Sequence, residues 1–307
     1  MVIPGAPKGN PTLIIITGPT AVGKTGVAIE VAKHFKTDII SADSRQFYKQ
    51  MKIGTAAPSE EQLSAVKHHF IGHLDPHDYF NVSLFEKSVL TLLEELFANK
   101  SVVIMTGGSG LYIKAVCDGI DDLPDADPEI RKNLINIFNT GGLTSLRRML
   151  QSHDPEYASI VDVANPNRLI RALEVIIQTG KPYSAHLNNE KVKRDFRIIK
   201  IALNIPRAIL HERINTRVDE MINSGLVEEA RSLYHLKDLN SLNTVGYKEL
   251  FDHFDGKTGL DETVEKIKTN TRRYARRQIT WFKRDKEFEW MEPDADAIIS
   301  WLDSQLK

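Results

Sequence analysis

LIIITGPTAVGKT, residues 13–25, sets a run of strand-forming residues directly before a glycine, four further residues, and then glycine, lysine and threonine. That spacing is the signature of a phosphate loop, and the context the signature requires is present. A strand precedes it and the helix-compatible run GVAIEVAKHF follows it. Gly18 and Gly23 allow the backbone angles that turn successive N–H groups into one concavity, and the following helix adds the positive end of its dipole. The loop Gly18, Pro19, Thr20, Ala21, Val22, Gly23, Lys24 and Thr25 is therefore expected to hold a diphosphate or a nucleotide. Lys24 would neutralise terminal phosphate oxygens and the Thr25 hydroxyl would ligate a magnesium ion, Mg2+.

The loop identifies a polyphosphate but does not specify its chemistry. An ATPase usually carries an acidic residue at the end of a second apolar strand. The best such strand here, Val102–Met105, ends in Thr106-Gly107-Gly108 without one. The diphosphate can therefore equally be the leaving group of some other reaction.

Outward from the loop, strand-like runs recur at Leu13–Thr17, Thr37–Ser41, Ser101–Thr106 and Ile198–Ile205, separated by helical patterns. Such alternation predicts an α/β fold with an open parallel sheet covered by helices on both faces. Between these strands lies a polar, helix-patterned stretch with the capping signals Asp127-Pro128 and Asp154-Pro155 and no convincing strand. The expected organisation is a core of residues 1–121 and 191–307 interrupted by an all-helical insertion at 122–190.

Asp43 falls just beyond the second strand, on the edge where open parallel sheets bind their ligands. A carboxylate there suits a metal ligand, a general base or a helix N-cap equally well. Arg45 and Gln46 beside it have the donors and acceptors to meet a phosphate or a nucleobase. His68-His69 lacks a third ligand at sensible spacing and is expected to be structural. GGSG at 107–110 predicts a close backbone approach at the end of the third strand, with the Ser109 hydroxyl at the mouth of the site.

The total charge is −1, with 26% charged residues and one cysteine, which excludes an internal disulfide and any multi-cysteine zinc site and suits a reducing compartment. The N-terminus lacks the pattern of a secretion signal, and no stretch has the roughly 20 apolar residues of a membrane span. A soluble cytoplasmic protein with no membrane partner is expected. The neutral total conceals a basic segment. Residues 266–286 hold nine Lys and Arg against one acid. With Tyr274, Trp281 and Phe282 interleaved, the run suits either an RNA-phosphate surface or a solvated helix paired with acids elsewhere. Arg213 and Arg217, at helical spacing after the late strand, are placed to reach back toward a diphosphate.

GPTAVGKT (18–25), ISADSRQFY (40–48), KIGTAAP (52–58), GGSGLYIKAV (107–116), NPNRLIRALEV (165–175), LHERINTRVDEM (210–221), NTVGYKE (243–249) and RRYARRQITWF (272–282) occur in the order found in tRNA dimethylallyltransferases. The chain resembles that family from about residue 12 to about residue 290. The resemblance implies a core like that of the phosphate-loop NTPases, in their nucleotide-kinase branch, with an insertion that clasps the anticodon stem-loop of tRNA. It implies transfer of a dimethylallyl group from dimethylallyl diphosphate to the N6 amine of the adenosine 3′-adjacent to the anticodon.

Residue by residue, it makes Asp43 the general base and puts Lys24 and Arg217 on the diphosphate. Ser109 stands where the family usually has threonine, so the hydroxyl is kept and a methyl lost. It sets Asp43, Ser44, Arg45 and Gln46, Asn167, Arg168, Leu169, Ile170 and Arg171, and Asn243, Thr244, Val245, Gly246, Tyr247 and Lys248 against tRNA. Arg276 and Arg277 of the basic run are expected there too. One cysteine fits the shorter bacterial type without a zinc-finger extension, and a monomer suffices for a site built within one chain. The rivals are an adenylate isopentenyltransferase acting on free AMP or ADP, which needs neither insertion nor basic helix, and a small-molecule kinase using the same loop. A non-catalytic RNA-binding module leaves the phosphate loop and Asp43 unexplained.

Overall fold

The computed structural model describes residues 10–121, 123–187 and 191–307, so residues 1–9 of the N-terminal stretch, and Asp122 and residues 188–190 of the expected insertion, lie outside the described residues. The chain divides into two compact units, Met1–Asp118 with Lys193–Lys307, and Gly119–Val192.

The first unit is built on a parallel sheet. Its strands are β1 (Thr12–Thr17), β2 (Ile39–Ser41), β3 (His68–His69), β4 (Val102–Gly107), β5 (Arg197–Leu203) and β6 (Phe288–Met291), in the order β3-β2-β4-β1-β5-β6. β1 lies at the centre, with Ile15 opposite Met105 of β4 and Lys200 of β5. Every residue of β1 is buried because helices cover both faces. Alternate side chains feed opposite layers. Ile14 and Ile16 pack with the helix Lys24–Phe35 and with Ile298 and Leu302 of the C-terminal helix Ala295–Gln305. Leu13 and Ile15 pack with Phe85 and Val89 of Val82–Phe97 and with Ile113 of Gly110–Asp118. A third apolar cluster, around Tyr247, Leu250 and Ile267, joins the helices Arg207–Asn223, Leu226–Ser232, Tyr247–Phe254 and Leu260–Phe282.

The four expected strands are present, with ends shifted by one or two residues, and β3 and β6 are additional. Both are short edge strands whose exposed or polar residues give no apolar run to detect. His69 takes the structural part expected of it: its Nε2 lies 2.8 Å from Asp38, which also pairs with Lys100. Within β5, Lys200 is almost wholly buried and is held by Asp285 at 2.8 Å and Glu287 at 2.6 Å. Cys117 is buried, and burial pushes its thiol up to about 12, which leaves it unreactive.

The second unit is helical among its described residues. Helix Pro128–His153 is broken at Gly142, where φ is 65°, and packs against Pro166–Thr179 around Leu146, Leu150, Leu169 and Leu173. Asp127 and Asp154 cap helices that begin with proline, accepting N–H groups of Ile130 and Tyr157. Glu174, fully buried, is satisfied by Arg131 and Arg171. Where the chain re-enters the first unit, Arg194 donates to the carbonyls of Ala115 and Val116 and pairs with Glu86 at 2.5 Å, both groups being nearly buried.

Ile15 has no exposure and touches the core on the central strand, so Ile15→Ala is expected to cost about 3 kcal/mol of unfolding free energy. A reduced urea midpoint at unchanged slope checks it.

Candidate active site

Three loops leave the carboxyl ends of β1, β4 and β2, which lie side by side in the sheet, and meet over one cleft of about 820 Å³. Gly18 turns the chain at φ 143°, and a Cβ there would lie 2.5 Å from the Leu203 carbonyl of the neighbouring β5, so only glycine fits. Gly107 ends β4 against the Ala42 carbonyl with no room for a side chain. The Ala42 N–H donates to Thr106 at 2.7 Å and the Ser109 N–H donates back to Ala42 at 3.1 Å, fastening the β4 and β2 loops together.

The long basic helix Leu260–Phe282 lies over this junction. Gln278, buried, accepts the Thr20 N–H at 2.9 Å and donates to the Gly108 carbonyl at 3.0 Å, tying the phosphate loop to the β4 loop. Trp281 packs directly on Gly110. The glycines after β4 are thus explained by a crossing helix as well as by a ligand-facing turn.

Within the cleft, Lys24 begins the helix behind Gly23 and its ammonium folds back onto the carbonyls of Gly18 at 3.1 Å and Pro19 at 2.8 Å. Burial lowers its pKa to about 8, with Arg217 pushing the same way and Asp43 opposing. Asp43 is the counterpart. Burial raises its carboxyl above the ordinary value, against the lowering effects of the Arg45 N–H, which it accepts at 3.1 Å, and of Lys24. No helix follows Asp43, so the N-cap alternative does not hold, and its carboxylate organises a tight turn instead. Arg217 faces the same cleft and its pKa is lowered, chiefly by desolvation. Arg213 reaches the phosphate loop too, donating to the Val22 carbonyl at 3.3 Å.

Ser109 accepts the Ser44 N–H at 3.0 Å and contacts the Ser44 hydroxyl at 3.2 Å. Its role is to hold the Asp43 turn, a job the hydroxyl does without the methyl that threonine would add. Arg45 donates to the carbonyls of Asn240 and Ser241 at 2.8 and 2.9 Å, which makes it a tether for the segment before Asn243. Asn243, Thr244, Val245, Gly246 and Lys248 all line the cleft, but Tyr247 does not. It is fully buried in the third apolar cluster, its hydroxyl 2.6 Å from Glu229, so its side chain is not offered to a ligand as expected. Leu169 and Ile170 require the same correction, since the helical unit's own core buries both. Arg171 is drawn to Glu174 and to the Pro124 carbonyl at 2.6 Å, while Arg168 stays exposed on that helix, as does Asn167.

The basic run is partly neutralised. Lys268 pairs with Asp219 and Glu265, and Arg272 bonds Asn215. Arg276 and Arg277 are exposed, and Arg277 sits 5.7 Å over the ring of Tyr274, a cleft residue that sequence left undecided between stacking and core packing. Gln278 and Glu229 were not signalled at all, because one lies inside a conspicuously basic run and the other in a run, LVEEAR, that reads as a solvated helix.

The donor set fits magnesium. No cluster of three or more His, Cys, Asp or Glu that could hold a metal exists among the described residues, whereas a hydroxyl at Thr25 and a carboxylate at Asp43 share the cleft. Magnesium characteristically takes one or two protein oxygens and completes its shell with water and substrate phosphate.

A strand, a glycine-rich phosphate loop and a recessed acid beyond the end of β2, two strands away across β4, define a phosphate-loop core. The IPP transferase model matches residues 46–285, and the chain belongs to that family. It is 53% identical over 296 residues to a tRNA dimethylallyltransferase of Christiangramia forsetii, covering 96% of this chain and 98% of that one. It is 50% identical to tRNA dimethylallyltransferase 1 of Bacteroides fragilis, covering 96% and 99%. The crystal structure of the tRNA isopentenylpyrophosphate transferase of Bacillus halodurans superposes with a TM-score of 0.69 at 36% identity, covering 96% and 95%. A eukaryotic dimethylallyltransferase acting on tRNA shares the fold, with a TM-score of 0.78 at 24% identity over 94% of this chain and 75% of that one. Among the described residues no helix is long and apolar enough to cross a membrane.

Because burial lowers the Lys24 pKa to about 8, the contribution of Lys24 to magnesium pyrophosphate affinity should be lost as pH rises through and beyond that value. Isothermal calorimetry from pH 7 to 9.5 checks this, and Lys24→Arg should weaken the alkaline fall because guanidinium keeps its charge.

Proposed function

We propose that this protein transfers the dimethylallyl group of dimethylallyl diphosphate to the N6 amine of the adenosine 3′-adjacent to the anticodon in tRNA and releases diphosphate. The observation that carries the proposal is the sharing of one cleft by a phosphate loop with Lys24, a second cation at Arg217, and a desolvated carboxylate at Asp43. The names borne by relatives half identical over nearly their whole length support the same reading over a kinase or a free-nucleotide prenyltransferase.

The donor's diphosphate lies in the phosphate loop, with Lys24 and Arg217 on its oxygens. Thr25 would offer its hydroxyl to a magnesium ion, which would supply further charge neutralisation there. One helical turn beyond Arg217, Met221 lines the same cleft with Val245, both partly exposed. These apolar side chains form the wall for the prenyl chain and limit water at the allylic carbon.

The exocyclic amine is a weak nucleophile because its lone pair is delocalised into the purine. Asp43 accepts its N–H as the nitrogen forms a bond to the first carbon of the prenyl group. The carbon–oxygen bond to diphosphate breaks, its electron pair passes to the leaving group, and the amine proton goes to Asp43. Lys24 and Arg217 stabilise the charge that appears on diphosphate. An anticodon-loop adenosine already lies outside a duplex, so bringing it into the cleft costs little unstacking. Arg276 and Arg277 offer phosphate contacts on the core, and Asn167 and Arg168 on the helical unit. The protein acts as a monomer in the cytoplasm.

Mass analysis of nucleosides from tRNA incubated with protein, magnesium and dimethylallyl diphosphate should show adenosine gaining one five-carbon prenyl group. Asp43→Asn should lower single-turnover rate by about 10² to 10⁴ with thermal unfolding unchanged. Since burial raises the Asp43 pKa, the wild-type rate should decline with falling pH through a midpoint above the ordinary carboxylate value of 3.8. An undiminished rate in Asp43→Asn would remove the general base.

A further inference from the structure

Glu229, on the helix Leu226–Ser232, lies outside the catalytic groups described above, yet its carboxylate is one of the most heavily hydrogen-bonded in the core. One oxygen accepts the N–H groups of Lys52 at 3.0 Å and Ile53 at 2.8 Å, and the other accepts the Gly54 N–H at 2.9 Å and the Tyr247 hydroxyl at 2.6 Å. Three consecutive backbone donors converging on an anion form a concavity of the kind that elsewhere binds phosphate, here filled by the protein's own carboxylate. The turn so held runs directly into Gly54–Pro58, a wall of the cleft.

That wall controls Gln46. The Gln46 amide nitrogen donates to the carbonyls of Thr55 and Ala56, both at 3.2 Å, which engages both its N–H groups. Its amide oxygen accepts the Ser41 hydroxyl at 3.3 Å and keeps a second lone pair. Turning the amide over would set its oxygen against two carbonyls, so the arrangement is fixed. Gln46 lines the cleft in the same turn as Asp43, three residues away, with only acceptor capacity left.

We propose that Glu229 is a positioning residue that, by clasping the Lys52–Gly54 turn, locks Gln46 as a hydrogen-bond acceptor and so makes the cleft select a purine whose six-position carries an amine over one that carries an oxygen. An amine has two N–H groups, one for Asp43 and one for Gln46. A 6-oxo purine sets an oxygen against the Gln46 oxygen and leaves that acceptor unpaired. The inference rests on the proposed reaction and adds to it the origin of the base selection.

The test measures equilibrium binding, without donor, of two anticodon stem-loops that differ only in adenosine or inosine at the target position. Wild-type protein should bind the adenosine form by clearly more than the factor of about ten that one hydrogen bond made or left unpaired is worth, since Asp43 and Gln46 each accept an N–H that inosine lacks. Gln46→Leu and Glu229→Ala should lower the ratio about tenfold, to the part that Asp43 alone contributes, and Glu229→Gln, which keeps one acceptor oxygen, should restore part of the loss. Tyr247→Phe removes a single donor from the clasp and keeps the carboxylate, so a two- to threefold drop in the ratio is expected even if Glu229→Ala does not fold. A clasp that mattered only to stability would weaken both stem-loops equally and leave the ratio at its wild-type value in folded variants, which overturns the proposal, as does a wild-type ratio of one. Prenylation of the adenosine stem-loop by wild-type protein is scored separately, so the reaction and the clasp can fail independently.

Discussion

The closeness of backbone to backbone at the carboxyl edge of the sheet is the constraint on which everything else rests. Gly18 lies against Leu203 and Gly107 against Ala42, with no space for a Cβ at either contact. Because these chains touch, the phosphate loop and the Asp43 turn open into one cleft, and the Ser109 hydroxyl holds the second of them. Gln278 then spans two of the loops from a helix that begins far from them, so the site is braced from above as well as from below.

The same packing makes the site electrostatically costly. Lys24 and Arg217 push against each other and both are desolvated, while Asp43 is driven toward its neutral form. Such a site holds unfavourable solvation that an anion entering beside the two cations would relieve. Binding and chemistry draw on the same desolvation. The raised proton affinity of Asp43 suits a group that takes up a proton, whereas the lowered one of Lys24 is a cost of its burial.

The local signals in the chain revealed the frame, and long-range ones were silent. LIIIT followed by GPTAVGKT carries both a strand and its loop within thirteen residues, and Asp127 and Asp154 announce helices through caps one residue before proline. β3 and β6 escaped because strands of two and four residues at a sheet edge have no apolar periodicity. At the site, Lys24 and Asp43 were legible because each stands beside a strand end. Tyr247, Leu169 and Ile170 were misplaced because a motif shared along a family does not distinguish residues that touch a ligand from those that hold the ones that do. Glu229 and Gln278 could not be read at all, since the backbone groups they hold lie more than 150 residues away in the chain.

Arg194 fastens the point where the chain returns from the helical unit to the end of the helix from which it departed. Exit and re-entry are therefore neighbours, and to the sheet the whole helical excursion is a loop with closed ends. Its own buried cluster around Leu146 and Leu169 gives it a separate source of cooperativity. Changes within the excursion therefore pass little register strain to β1 through β6, and its sequence is freer to vary than that of the sheet it interrupts.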